Sequence, residues 1–190
     1  GRLDKKMFEG VASIKDENAD LLMNGIVDLN KSTPRFKLLA NITKADLFNL
    51  KLLKDSITFS GKTDLDFTSI NLDNFLGTAR ITEAELRRNG ERMSFDSLIV
   101  TADYIDNVRT LTAASNEFRA SITGSYSLNE LPSAVTFLLN KYYPAYVKAP
   151  KRMPRDQDFR FDIETYYVDE YLQLVSPALV GFNNSRFTGS

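Results

Sequence analysis

From residue 117 to residue 128 the chain alternates without a fault. Phe118, Ala120, Ile122, Gly124, Tyr126 and Leu128 occupy one phase, and Glu117, Arg119, Ser121, Thr123, Ser125 and Ser127 the other. A period of two is the signature of a strand with one apolar and one wet face, because successive strand side chains point to opposite sides. The same pattern governs residues 56–68. There Ile57, Phe59, Gly61, Thr63, Leu65 and Phe67 oppose Ser56, Thr58, Ser60, Lys62, Asp64 and Asp66. Asn71, Asp73 and Asn74 then break the alternation, and a new strand opens near Gly77. Strand, polar bend, strand is therefore the unit from which the chain is built.

Further strands are expected over residues 8–14, 21–29, 36–42, 77–86, 93–100, 108–114 and 159–163, with another starting at Phe187. Asn89-Gly90 supplies the two positive φ angles of a type I′ hairpin, and Asp106-Asn107 predicts another. The phase change between Phe95 and Leu98 points to a bulge. Residues 45–53 carry leucines without a clear period and read as a short helical or irregular crossover. One helix is expected at about 130–143, where Pro132 sits in the first turn, Val135, Leu138, Leu139 and Tyr142 recur at helical spacing, and Pro144 ends the run. An irregular or helical bend interrupted by Pro177 is expected over 171–180. The chain thus divides into a curled β region ending in a helix (1–145), a Pro- and charge-rich linker (146–157), and the start of a further, truncated repeat (158–190).

A second regularity runs through the strands. An apolar residue two before glycine occurs at Phe8–Gly10, Met23–Gly25, Phe59–Gly61, Phe75–Gly77, Ile122–Gly124 and Phe187–Gly189. Glycine inside a strand marks strong twist, a bulge or a close backbone approach. These positions read either as bends of an ordinary sandwich or as the line of tightest curvature in a sheet that curls along a long axis. The unequal intervals between copies exclude a strict solenoid code.

The residue inventory narrows the chemistry. There is no histidine and no cysteine, so the commonest general base, the commonest metal ligand and the strongest thiol nucleophile are all missing. Carboxylate-only or Ser/Lys chemistry stays open, but the expectation is a non-catalytic protein without cofactor. A net charge of −1 gives no general attraction to nucleic acid. No apolar run approaches the ~18 residues of a transmembrane helix, and no signal peptide is present. The chain begins at Gly1 without an initiator Met and stops within a strand-bend unit, which reads as a piece excised from a longer protein.

The candidate functional surface is the apolar phase of the strands: Ile57, Phe59, Leu65, Phe67, Ile81, Phe95, Phe118, Ile122 and Tyr126. Such residues line either a closed core or a groove that accepts an acyl chain. Lys148, Lys151 and Arg152, in a basic stretch with tyrosines, are candidates for headgroup or partner contact, set against a helix C-terminus followed by a solvated linker. Asp64 and Asp66 read as solvated charge on the outer face, and Asp156, Asp158, Asp162 and Glu164 as surface charge without a calcium-loop pattern.

The segments SIKDENADLLMNGIVDLN, LKDSITFSGKTDLDFTSINLDNFLGTARI, ERMSFDSLIV and NEFRASITGSYSL resemble the periplasmic repeat region of the TamB/AsmA-like translocation and assembly module family, in its Bacteroides-type versions. The likeness rests on the succession of strand, bend and Phe-x-Gly rather than on a single motif, and extends over essentially the whole chain. It implies a mainly β fold, an elongated and curled antiparallel sheet forming a taco-like trough, with one or two short helices. It further implies a periplasmic protein anchored in the inner membrane and reaching the outer membrane, with phospholipid acyl chains as cargo. Open strand edges offered to outer-membrane barrel precursors by β-augmentation are the alternative role. The helix and the linker after it depart from a plain trough.

Overall fold

The structure is a computed structural model and describes residues 1–4, 6–30, 32–52, 56–69, 71–88, 91–142, 144–145, 148–152, 157–175 and 180–190. Eleven antiparallel strands form one sheet in strict chain order. They are β1 (Arg2–Asp4), β2 (Met7–Lys15), β3 (Ala19–Asp28), β4 (Arg35–Asp46), β5 (Ile57–Thr68), β6 (Leu76–Arg88), β7 (Glu91–Ile105), β8 (Val108–Ser115), β9 (Phe118–Ser125), β10 (Asp158–Thr165) and β11 (Ser185–Gly189). β1 and β11 do not pair with each other, so the sheet is curled but not closed into a barrel. Two helices accompany it: α1 (Leu131–Tyr142) between β9 and β10, and α2 (Asp169–Val175) between β10 and β11.

The strands from β2 onward form where the sequence predicts them, and β1 (Arg2–Asp4) is an addition that the sequence did not announce. Asp106 (φ 51°) and Asn107 (φ 62°) are both left-handed and join the pair Ile105–Val108, as a type I′ turn requires. Asn89 and Gly90 lie outside the described residues, but Arg88 and Glu91 pair on either side of them. Val135, Leu138, Leu139 and Tyr142, which carry the spacing of α1, have side chains outside the described residues, as does Pro177 altogether.

Three expectations need correction. The described part of 45–53 is not a crossover: β4 continues to Asp46, β4 and β5 are antiparallel neighbours, and the connection opens with a turn in which the Asp46 carboxylate accepts hydrogen bonds from the Phe48 and Asn49 amides, residue 53 lying outside the described residues. The phase change at Phe95–Leu98 is not a bulge in β7 alone. β6 changes phase beside it, between Ile81 and Ala84, so the β6–β7 register is unbroken. The register breaks instead against β5, between Ser60 and Lys62, with Glu83 at φ 50°. Nor does 146–157 divide the sheet. β10 pairs with β9 over its full length, from Asp158–Ser125 to Thr165–Phe118, so α1 and the stretch after it are an insertion within one continuous sheet.

The glycines do what a side chain cannot. Gly77 has φ 126° and is paired with Phe67; a Cβ there would lie 2.7 Å from the Phe67 Cα and closer still to the Asp66 carbonyl oxygen. Gly25 (φ 152°) meets Leu38 in the same way. The positions do not share one line of curvature: Gly10 and Gly25 are directly paired, whereas Gly61 and Gly77 lie on other rows. Each relieves a local crowding between its own strand and one neighbour.

Two ties hold strands that are three apart in the sheet, a span of about 14 Å if it were flat. The first lies between β5 and β6, where a 3-10 turn (Leu72–Asn74) carries Asp73. The Asp73 carboxylate accepts hydrogen bonds from the Ser127 hydroxyl (2.8 Å) and from the Asn129 amide side chain (2.9 Å) beyond β9. Burial would raise this carboxyl, but the bonds from Ser127 and Asn129 outweigh it and hold the group below its ordinary value of 3.8. The ionised form is the one bound. Its contribution is therefore complete above the ordinary carboxylate range and lost as pH falls through the depressed value. Asp73→Ala is expected to lower stability by roughly 1 kcal/mol at neutral pH, and by less as the medium becomes strongly acidic. Urea titrations at the two pH values check this.

At the opposite end α2 supplies the second tie. The Tyr171 ring stacks on Phe95 with centroids 5.0 Å apart, and its hydroxyl lies 3.0 Å from Glu117 Oε1 and 3.1 Å from the Ser94 carbonyl. Burial, then the hydrogen bond to Glu117 and that carboxylate's charge, push the phenol up to about 12. A raised phenol stabilises the fold below its unfolded value of 10, and the contribution disappears as pH rises from 10 to about 12. Near-ultraviolet circular dichroism is expected to report α2 leaving the sheet in that window, and Tyr171→Phe to remove the step.

Candidate functional site: an uncovered apolar trough

Directly paired residues of an antiparallel sheet share a face, so the register defines two surfaces from edge to edge. One row reads Phe8, Val27, Phe36, Phe67, Gly77, Ala102, Leu111, Ile122, Phe161 and Gly189. Another reads Ala12, Met23, Ala40, Thr63, Ile81, Leu98 and Ser115. This face is apolar across the whole sheet. The opposite face carries ion pairs, among them Asp66 with Arg35 (3.5 Å) and Lys37 (3.8 Å), Lys62 with Glu83 (2.6 Å), and Asp162 with Arg186 (2.6 Å). Asp66, Asp162 and the strand charges around them thus hold the outer face together by exposed pairs, each worth little singly.

Among the described residues the apolar face has no second layer over most of its length. Its buried groups are mostly small ones, Ala19, Ala45, Ala84 and Ala102, with the larger Arg109 and Tyr126 at one end. Among the described residues no large side chain is fully buried. The chain exposes 13353 Å², against about 9,200 Å² for a compact monomer of its 21.5 kDa. That excess is what one curled layer costs when, among the described residues, little packs on its inner side.

All nine residues expected to line a groove belong to this surface. Ile57, Phe59, Leu65 and Phe67 lie on β5, Ile81 on β6, Phe95 on β7, Phe118 and Ile122 on β9, and Tyr126 just beyond it. Eight are half-buried and Tyr126 is buried. They do not form one pocket. Phe67 stacks between Phe36 (4.9 Å) and Phe75 (5.1 Å), and Phe95 lies under Tyr171. One apolar hollow holds only Ile122 of the nine. It has about 330 Å³ and is lined by Leu111, Ala113, Ala120, Ser121, Ile122, Phe159, Phe161 and Ile163, with Leu131 of α1 beside them. Phe159, Phe161 and Ile163 carried the same alternation in the sequence but stood beyond the supposed linker.

Lys148, Lys151 and Arg152 are exposed on the β9–β10 connection. The polar groups that gather at this end of the trough are different ones: Asp73, Arg109, Tyr126 and Asp158 line a hollow of about 490 Å³. Arg109 stood in phase with Leu111 and Ala113, a charge among apolar positions, and that was the signal available for it. The outer face is not polar throughout. Val11, Leu22 and Leu39 are each more than half exposed there, beside Lys62, Asp64 and Arg80.

Among the described residues no cluster of acidic side chains could hold a metal ion, and no helix is long and apolar enough to cross a membrane. No family model, no curated protein and no solved structure matches the chain.

Proposed function

We propose that the apolar trough holds lipid acyl chains, and that the chain is part of a TamB/AsmA-like protein moving phospholipid between the two membranes of a Gram-negative cell. On this reading it works in the periplasm, non-catalytically, with the full-length protein anchored in the inner membrane. The observation that carries it is the apolar face that runs from β2 to β11 and that, among the described residues, is left largely uncovered, with α2 over it at Phe95. Contiguous apolar surface on that scale is a binding surface in proteins that stay soluble. Seating ten methylenes out of water would contribute about 8 kcal/mol before the cost of ordering the chain. Native mass spectrometry of the purified protein, before and after exposure to phospholipid vesicles, tests the proposal. Bound phospholipid is the expected result, and a protein that takes up none under either condition overturns it.

A second reading rests on β11, which pairs only with β10 among the described residues and leaves its other edge open. Such an edge accepts an extended segment by strand addition, the mode suited to precursors of outer-membrane barrels. Binding of barrel-strand peptides without any lipid uptake would favour this role.

A further inference from the structure

Among the described residues the inner face of the trough contains one buried cation. Arg109 is paired with Tyr104 and stands two residues before Leu111 on β8, so it shares the face of Leu111, Ile122 and Phe161. It is only 8% exposed, and its guanidinium lies 4.7 Å from the centre of the Tyr126 ring. Tyr126 is 9% exposed and its hydroxyl has no hydrogen-bond partner among the described residues. A buried hydroxyl without a partner is a standing cost that proteins keep where something else is to be met. Burial also pushes the phenol up, the nearby Arg109 charge only partly offsetting it, so the hydroxyl stays a donor at neutral pH.

These two groups open onto the hollow of about 490 Å³ whose wall also carries Asp73 and Asp158. A purely anionic occupant would face two carboxylates. An occupant bearing both signs would not.

We propose that this hollow is a headgroup subsite for a zwitterionic phosphate ester of the phosphoethanolamine kind, with Arg109 and the Tyr126 hydroxyl on the phosphate and Asp73 and Asp158 on the ammonium. The inference rests on the acyl-chain reading of the trough and adds where the polar end of the cargo sits. Arg109 and Leu111 are separated by about 7 Å along the strand, so chains leaving a headgroup here enter the hollow lined by Leu111, Ile122 and Phe161.

The test uses the variant Tyr126→Phe, because it removes only the unpartnered hydroxyl; replacing the buried Arg109 would also loosen the ring beneath it. Wild type and variant are each loaded from vesicles doped with equal amounts of phosphatidylethanolamine, phosphatidylglycerol or diacylglycerol of identical acyl chains, and bound lipid is counted by native mass spectrometry. Water-soluble phosphoethanolamine is titrated separately. Wild type is expected to take phosphatidylethanolamine about tenfold better than either other lipid, as a charge-assisted hydrogen bond and an ion pair imply. Tyr126→Phe is expected to lose most of the preference over diacylglycerol, which lacks the phosphate, and to keep the preference over phosphatidylglycerol, which the two carboxylates set, while melting at the same temperature or higher. Equal uptake of phosphatidylethanolamine and diacylglycerol overturns the subsite and leaves the trough standing. Equal uptake of phosphatidylglycerol overturns the zwitterion. Binding of phosphoethanolamine with no lipid uptake keeps the subsite and overturns the acyl-chain reading.

Discussion

Aspartate at Ile122 is expected to strip phospholipid from the protein, and aspartate at its neighbour Thr123, which is not part of the hollow, to leave the lipid in place. The two residues are adjacent in the chain and face opposite sides of β9: Ile122 pairs with Phe161 and Leu111, Thr123 with Arg160 and Thr110. A carboxylate among Leu111, Phe159 and Phe161 must either be desolvated against an acyl chain or keep that chain out. The exclusion is worth more than tenfold in occupancy, since 1.4 kcal/mol suffices for a factor of ten. The folding cost is smaller than the same change would bring in a closed core, because Ile122 is only half-buried in the empty protein. Thermal melts of both variants, run beside native mass spectrometry, separate lost binding from lost fold. Equal lipid retention by the two variants would count against the inner face as the binding surface.

Alanine at Gly77 is expected to damage the fold itself. Its φ of 126° is strained for any L side chain, and the new Cβ would press on the Asp66–Phe67 backbone of β5, which is held in the ladder and has nowhere to go. Strain of the first kind costs of order 1–3 kcal/mol, and the collision adds to it, so a loss of roughly 3 kcal/mol or more is predicted. Gly181 provides the control. It too has positive φ (86°), but a Cβ there meets nothing within 4 Å, so Gly181→Ala should cost only the conformational part. Urea unfolding of the two variants gives the comparison directly.

How much of this was legible beforehand follows from the range of the interactions. The period of two in residues 117–128 is local, and it revealed the strands and the lining face because an open meander asks almost nothing of distant sequence. The Asp106-Asn107 turn was legible for the same reason. What was missed depends on neighbours remote in the chain. The break at Glu83 exists to match β5, not β7. The continuity of β9 with β10 spans α1 and the stretch after it. Tyr171 covers Phe95 across 75 intervening positions, from a helix that the sequence marked only as a helical or irregular bend. The gathering of Asp73, Arg109, Tyr126 and Asp158 joins four separate elements at one rim.

The strict chain order of the strands has a consequence for how this protein comes into being and how it can change. Every strand's partners are the ones made just before and just after it, so from β1 to β9 each pair closes at a modest loop entropy, with longer closures only at β9–β10 and β10–β11, and assembly can advance like a zipper as the chain is synthesised. Energetics of this kind approach a sum of nearest-neighbour terms, as in stacked repeats. Deleting one whole hairpin should then subtract its own share and leave the rest standing. The reach of the trough is set by how many hairpins are threaded on it, a dimension that can grow or shrink two strands at a time without redesigning any site.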